Sequence, residues 1–406
     1  MSDKQHTLHS ARRLGRLMSR YYLSSRYHSL WGPLLRRPLA WVTSGAPVEI
    51  LRVFGIHPFY PENYGALCGA RRASLALCQA AEARGYSQDL CSYARCHLGS
   101  LFSPEHAPLK KLPPPDLLVA CNNICGTVLK WYEELARRLR VPLLFIDTPF
   151  IAGELEDRAV AYVQEQLRAM VEELSRLTGR RWDAARARRI MGLSNEAVLL
   201  WREIRYMGRH RPSPLNAPDL FIHMAPIVVL RGTPQAVHYY RLLLSEVRER
   251  VKKGIAAVPG ERVRLLWDNI AIWYRLNRFF RFFAERGACF VTDTYTGGWD
   301  TEMAVREDPL ESLAEAYAGI FLNRSLQFRV RQMVELIRDF AVDGFVMHSN
   351  RSCKPYSLVQ EEIRRQVVEQ TGIPGLVVEA DQTDPRAFAE ETVLNRAQAF
   401  LEALAL

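Results

Sequence analysis

A chain of 406 residues, 48% of them hydrophobic, exceeds the size at which one core stops growing, so two or more domains are expected without disulfide or metal staples. The net charge of +10 favours a polyanionic partner, but the arginines lie along helical patterns such as 181–189 rather than interleaved with aromatics on one stripe, which argues against nucleic-acid binding. No apolar segment is long enough for a signal peptide or membrane span, and the chain reads as a soluble cytoplasmic protein.

The first forty residues read as an amphipathic helical segment, basic at Arg12, Arg13, Arg16 and Arg20, followed by the turn-like Thr43-Ser44-Gly45. A helix restarts at Pro47, which suits a first helical turn. Short apolar runs then alternate with longer helical patterns: Leu117 to Ala120 before a helix through Trp131 and Leu139, then Leu143 to Ile146 before Asp147-Thr148-Pro149. That alternation is the βαβ rhythm of a parallel sheet. Helical spacing covers 160–177 and resumes to about Tyr206, until prolines 212, 214 and 218 break it. The second half repeats the alternation, with strands near Val263 to Trp267, Cys289 to Thr292, Gly344 to His348 and Leu376 to Glu379. The expected fold is α/β, with two Rossmann- or flavodoxin-like parallel-sheet domains. Its parts are an N-terminal helical segment (1–46), a first α/β domain with a helical connector (47–212) and a second α/β domain (213–406).

In a reducing compartment the eight cysteines are read as buried small hydrophobes, metal ligands or redox groups rather than disulfides. Cys68, Cys78 and Cys289 sit in ordinary apolar context and suit burial. Cys125 and Cys353 differ: each lies in a polar loop after an expected strand, the place where open parallel sheets carry ligands, so the two halves can present both to one cleft. Cys91 and Cys96 stand in C-S-Y-A-R-C-H, and Cys121 and Cys125 in C-N-N-I-C. Neither is the compact run of a ferredoxin, and a zinc site drawing on His97 is the rival metal reading.

Ordered blocks run from about Trp41 to the C-terminus: S-G-A-P-V-E-I-L from Ser44, F-Y-P-E-N-Y-G-A around Glu62, D-L-C-S-Y-A-R at Cys91 and N-N-I-C-G-T-V-L-K-W-Y-E at Cys125. They continue through R-G-T-P-Q-A-V-H-Y-Y, L-L-W-D-N-I, N-R-S-C-K-P-Y-S at Cys353 and I-P-G-L-V-V-E-A-D-Q-T-D-P-R. In these blocks the chain resembles the larger, alpha-type subunits of the benzoyl-CoA reductase and 2-hydroxyacyl-CoA dehydratase family. The resemblance implies a 4Fe-4S cluster between two α/β domains, held by Cys91, Cys125 and Cys353, with one iron open to water or to a thioester carbonyl. It also implies an acyl-CoA substrate, whose phosphates would suit the basic charge, and a smaller homologous beta-type subunit or a second copy of the chain. An ATP-dependent activase is implied as well, and the chain itself shows no G-x-x-x-x-G-K-[ST] loop. Cys96 and Cys121 match no ligand of the family. A related branch binds a double-cubane cluster through additional cysteines, and that alternative stays open, although its N-terminal cysteine is absent around His57 and Pro58.

The resemblance places Glu62 near the substrate hydroxyl, with Ser44 beside it, as the acid-base pair of the site. A helix cap near Gly65 is the structural alternative for Glu62 and Asn63. His348 and Asp293 are further cleft candidates or satisfied structural residues. The aromatic run from Trp267 to Tyr274 suits an acyl pocket or core packing. Arg95 and Lys354 are candidate contacts for the activase or for coenzyme A phosphates. The implied activity is radical elimination of water from a 2-hydroxyacyl-CoA through a ketyl. ATP-dependent reduction of benzoyl-CoA is the alternative, and a non-catalytic electron-storage subunit is the alternative of another class.

Overall fold

The computed structural model describes residues 8–32, 34 and 37–404. Its frame is two four-stranded parallel sheets. The first contains β1 (Leu39–Val42), β2 (His57–Phe59), β3 (Leu117–Cys121) and β4 (Leu143–Ile146), in the order β2-β1-β3-β4. The second contains β5 (Val263–Asp268), β6 (Ala288–Asp293), β7 (Gly344–Asn350) and β8 (Gly375–Ala380), in the order β6-β5-β7-β8. The two orders are the same when each half is counted from its own start. In each, the chain leaves the first strand to one side and returns to pair on the other, Val42 facing Val119 and Asp268 facing Met347. The crevice outside the carboxyl ends of those two inner strands is where an open parallel sheet binds its ligands.

Side chains alternate across each strand and separate two cores per sheet. From the first sheet, Ala40, Val42 and Val119 pack with the long connector helices Asp157–Thr178 and Ala184–Tyr206, while Trp41, Leu118 and Ala120 pack against the helices Pro61–Ala70, Ser74–Glu82, Ser92–Phe102 and Thr127–Leu139. The second sheet does the same with Leu265, Trp267 and Val346 on one face and Leu266, Val291 and Met347 on the other. Among the described residues no helix is long and apolar enough to cross a membrane.

The N-terminal reading needs correction. Helix was expected through about residue 40, but it spans Ser10–Trp31, and β1 begins at Leu39, inside the 1–46 segment read as helical. β1 is only four residues long and buried throughout, so it shows no alternation by which a strand is recognised. β2 was also unforeseen: it has three residues, includes Pro58 and lies at the sheet edge, where a residue without an N–H is tolerated.

Candidate active site

Ser44 follows β1 in a loop pinned by its neighbours. Thr43 Oγ1 accepts from Cys121 N at 3.1 Å, and Asn123 Nδ2 donates to Gly45 O at 3.0 Å and to Tyr317 O at 2.9 Å. A Cβ on Gly45 would lie 2.1 Å from Asn123 Oδ1, so the loops after β1 and β3 approach each other only because this residue has no side chain. Glu62 sits in the first turn of the helix Pro61–Ala70. Its carboxylate accepts from Ser44 N at 2.6 Å and Ser44 Oγ at 2.9 Å. The cap near Gly65 is therefore overturned: the helix begins at Pro61 and has no side-chain cap, and Glu62 reaches across to another loop. Burial pushes the Glu62 carboxyl up to about 7, and the two hydrogen bonds from Ser44 offset this only in part.

Cys91 immediately precedes the helix Ser92–Phe102, Cys125 lies two residues before the helix Thr127–Leu139, and Cys353 precedes the single turn Lys354–Ser357. Each sulfur thus has the free amides of a helix start behind it: Tyr93 and Ala94 at Cys91, Thr127 and Val128 at Cys125, Tyr356 at Cys353. Those amides favour thiolate, but burial outweighs them. It pushes Cys91 up to about 12 and raises Cys125 and Cys353, and the three sulfurs raise one another wherever they interact: Cys125 on Cys91, and both on Cys353.

All five residues, Ser44, Glu62, Cys91, Cys125 and Cys353, line one cavity of about 180 Å³. It lies between the strand-end loops of the two sheets. Its wall is mainly apolar and aromatic, with Trp131, Phe221, Trp273, Tyr295 and Phe321 prominent, and Glu62 and Arg231 are the charged residues on it. From the Trp267 to Tyr274 run, Ile270 and Trp273 reach the cavity while Trp267 is core. Three bonds tie the halves together beside the thiols: Trp273 Nε1 to Tyr93 OH at 2.5 Å, Gln382 Nε2 to Cys91 Sγ at 3.3 Å, and Ser92 N to Ser352 Oγ at 3.0 Å, with Ser352 Oγ in turn bonded to Asp381.

The remaining candidates lie elsewhere. Cys96 turns into the core beside Cys78, 3.7 Å between sulfurs, and Cys121 lies near Thr148; neither lines the cavity. Cys68, Cys78 and Cys289 are buried, as expected. His97 is enclosed by Trp41, Tyr64 and Trp131, with no hydrogen-bond partner for either ring nitrogen among the described residues. His348 Nδ1 is bonded to Ile270 O and Asp293 accepts from Thr296, so both act within the frame. No three His, Cys, Asp or Glu among the described residues are gathered tightly enough to hold a single metal ion, so the zinc reading with His97 finds no support.

Arg95 also requires correction. It is a buried core residue whose guanidinium pairs with Glu82 at 2.7 Å and Asp384 at 2.8 Å, so it is not available to a docking partner or a phosphate. Lys354 is exposed, and its Nζ donates to Arg351 O in its own loop. Arg95→Met should lower unfolding stability by about 3 kcal/mol, the low end for a broken buried pair because Arg386 stays with both carboxylates. Urea denaturation of the variant against the wild type measures this, and a shift under one third of that size would contradict it.

The sequence reading missed a second charged group at the cavity. Glu49, fully buried, accepts from Arg231 Nε at 3.0 Å, Ser194 Oγ at 2.7 Å and Tyr317 OH at 2.6 Å, and Arg231 and Tyr317 line the cavity wall. Burial raises the Glu49 carboxyl, but Arg231, Tyr317 and Ser194 together bring it below the ordinary carboxylate value.

Residues 43–404 match the family described as 2-hydroxyglutaryl-CoA dehydratase, D-component. The chain is 34% identical over 379 residues to the alpha subunit of lactoyl-CoA dehydratase from Anaerotignum propionicum, covering 90% of each chain. It is 35% identical over 371 residues to the (R)-2-hydroxyisocaproyl-CoA dehydratase alpha subunit of Clostridioides difficile, covering 91% of this chain and 90% of that one. Similarity extends to a benzoyl-CoA reductase subunit of Thauera aromatica, 28% identical over 374 residues, with 87% and 85% covered.

Proposed function

Because the chain belongs to the family of the 2-hydroxyglutaryl-CoA dehydratase D-component, we propose that it is the alpha-type subunit of a cytoplasmic 2-hydroxyacyl-CoA dehydratase. In this reading Cys91, Cys125 and Cys353 hold a 4Fe-4S cluster with one iron free of protein ligands. The observation that carries it is the meeting of three thiols from separate segments with the Ser44–Glu62 pair on one apolar cavity. In such a cluster each cysteine binds a different iron, so the sulfurs need not gather at one point. Soft sulfur donors backed by helix-start amides suit iron, and the metal's charge answers the burial that otherwise keeps the thiols protonated.

A cluster held by Cys91, Cys125 and Cys353 would lend the thioester one low-potential electron and take it back once the 2-hydroxyl and a β-proton have left, so that the net change is loss of water. Glu62, half protonated near neutrality, hands a proton to the departing hydroxyl, and Ser44 keeps the carboxyl turned to the cavity. The wall around Trp273, Tyr295 and Phe321 receives the acyl group and excludes water. Cys96 and Cys121 do not line the cavity, and this reading gives them no part in the cluster; the double-cubane alternative would need them.

The isolated chain should be inactive until a beta-type subunit or second copy and an ATP-hydrolysing activase are supplied. Anaerobic turnover of lactoyl-, phenyllactyl- and 2-hydroxyisocaproyl-CoA, with and without activase and ATP, checks this. Loss of water in the product mass supports the dehydratase. Gain of hydrogens by benzoyl-CoA would instead support the reductase, the activity after which the Thauera relative is named. A cluster without turnover of either would mark an electron-storage subunit. Sustained activity of this chain alone with a mild reductant would sink the activase requirement.

A further inference from the structure

Gln382 comes from the loop after β8, at the other end of the chain from Cys91, yet its Nε2 stands 3.3 Å from Cys91 Sγ. Its orientation is fixed. Asn350 Oδ1 accepts from the main-chain N of Gln382 at 3.3 Å, which fixes which end of the Asn350 amide is oxygen, and Asn350 Nδ2 then donates to Gln382 Oε1 at 2.7 Å, which fixes the Gln382 amide in turn. Gln382 O also accepts from Trp273 N at 3.0 Å. Gln382 is 1% exposed and Asn350 fully buried, and Asn350 is the last residue of β7. With its oxygen engaged, the Gln382 amide has its nitrogen left for the sulfur.

We propose that Gln382 is a positioning residue that donates a hydrogen bond to the Cys91 thiolate of the cluster and thereby raises the cluster's reduction potential. The inference rests on the reading of Cys91, Cys125 and Cys353 as its ligands. Reduction by one electron adds negative charge that spreads onto the sulfurs. An N–H aimed at one of them stabilises the reduced form more than the oxidised form. The same amide orients Cys91 from the opposite half of the molecule, as outer-sphere partners of metal ligands do.

The test is a redox titration of the anaerobically purified full chain with titanium(III) citrate as the one-electron donor, followed by electron paramagnetic resonance. Gln382→Met keeps side-chain length and removes the donor. It should make reduction about tenfold less favourable, equivalent to 59 mV for one electron, at unchanged iron content. Gln382→Glu, which adds a negative charge at the same place, should lower the potential further. Iron-loaded variants titrating with the wild type would overturn the inference and leave the cysteine assignment standing. Wild-type protein without iron would remove both. A second measurement needs no variant: the reduced wild-type cluster, in protein carrying ¹⁵N in its glutamine side chains, should show a ¹⁵N coupling in pulsed resonance spectra. Its absence would overturn the inference even if both variants fail to retain iron.

Discussion

Cys353→Ser protein purified without air should carry little or no iron, against about four irons per wild-type chain. The same loss is expected for Cys91→Ser and Cys125→Ser. The effect is large because a hydroxyl is a hard, weakly acidic donor that replaces a thiolate poorly on iron. Each thiol also sits at a helix start whose amides are aimed at it, so no neighbouring residue can take over its direction. Cys68→Ser, Cys78→Ser and Cys289→Ser should keep their iron, since those sulfurs are buried away from the cavity. Cys96→Ser and Cys121→Ser should behave like this second group, and iron loss in either would revive a larger cluster. Iron and acid-labile sulfide analysis decides the matter; full retention in Cys353→Ser would defeat the assignment.

Glu62→Gln should keep the fold and the iron but lose about 100-fold or more in kcat, the scale of a removed proton donor. Its pH behaviour is the sharper readout. With the carboxyl held up to about 7, the protonated form predominates below that value, so kcat is full there and declines as pH rises through it. Glu62→Gln should show no such limb. Because the Ser44 hydroxyl pulls the carboxyl down, Ser44→Ala should move the limb to higher pH. Stability moves with pH in the same direction, falling as the carboxyl ionises. A carboxyl whose folded value lies above its unfolded one is held less favourably once ionised, so Glu62→Gln should be no less stable than wild type at pH 8. A variant that melts early with unchanged kcat would mark Glu62 as purely structural.

Six of the eight strands were legible because each is an apolar run bounded by polar turn residues, as at Leu143–Ile146 and Val263–Asp268. Of the other two, β1 was absorbed into the helical reading of the first forty residues, and β2 has three residues, one of them Pro58. The cysteines were chosen from blocks of resemblance rather than spacing, because residues brought together from three loops leave no local signature. Other contacts between distant segments were not legible: Glu49 meets Arg231 and Tyr317 across 182 and 268 residues, and Gln382 meets Cys91 across 291. Arg95 misled for a related reason. A cation next to a candidate ligand looks like a docking contact until Glu82 and Asp384 are seen to enclose it.

The link from Ser92 through Ser352 to Asp381 also bears on the order in which the protein is made. Cys91 and Cys125 leave the ribosome well before Cys353 and the Asp381 that steadies its loop. β8 must pair with β7 before the third thiol has its support. If the three sulfurs hold one group, that group can be received only when the strand-end loops of both sheets stand together, with the first sheet already made in full.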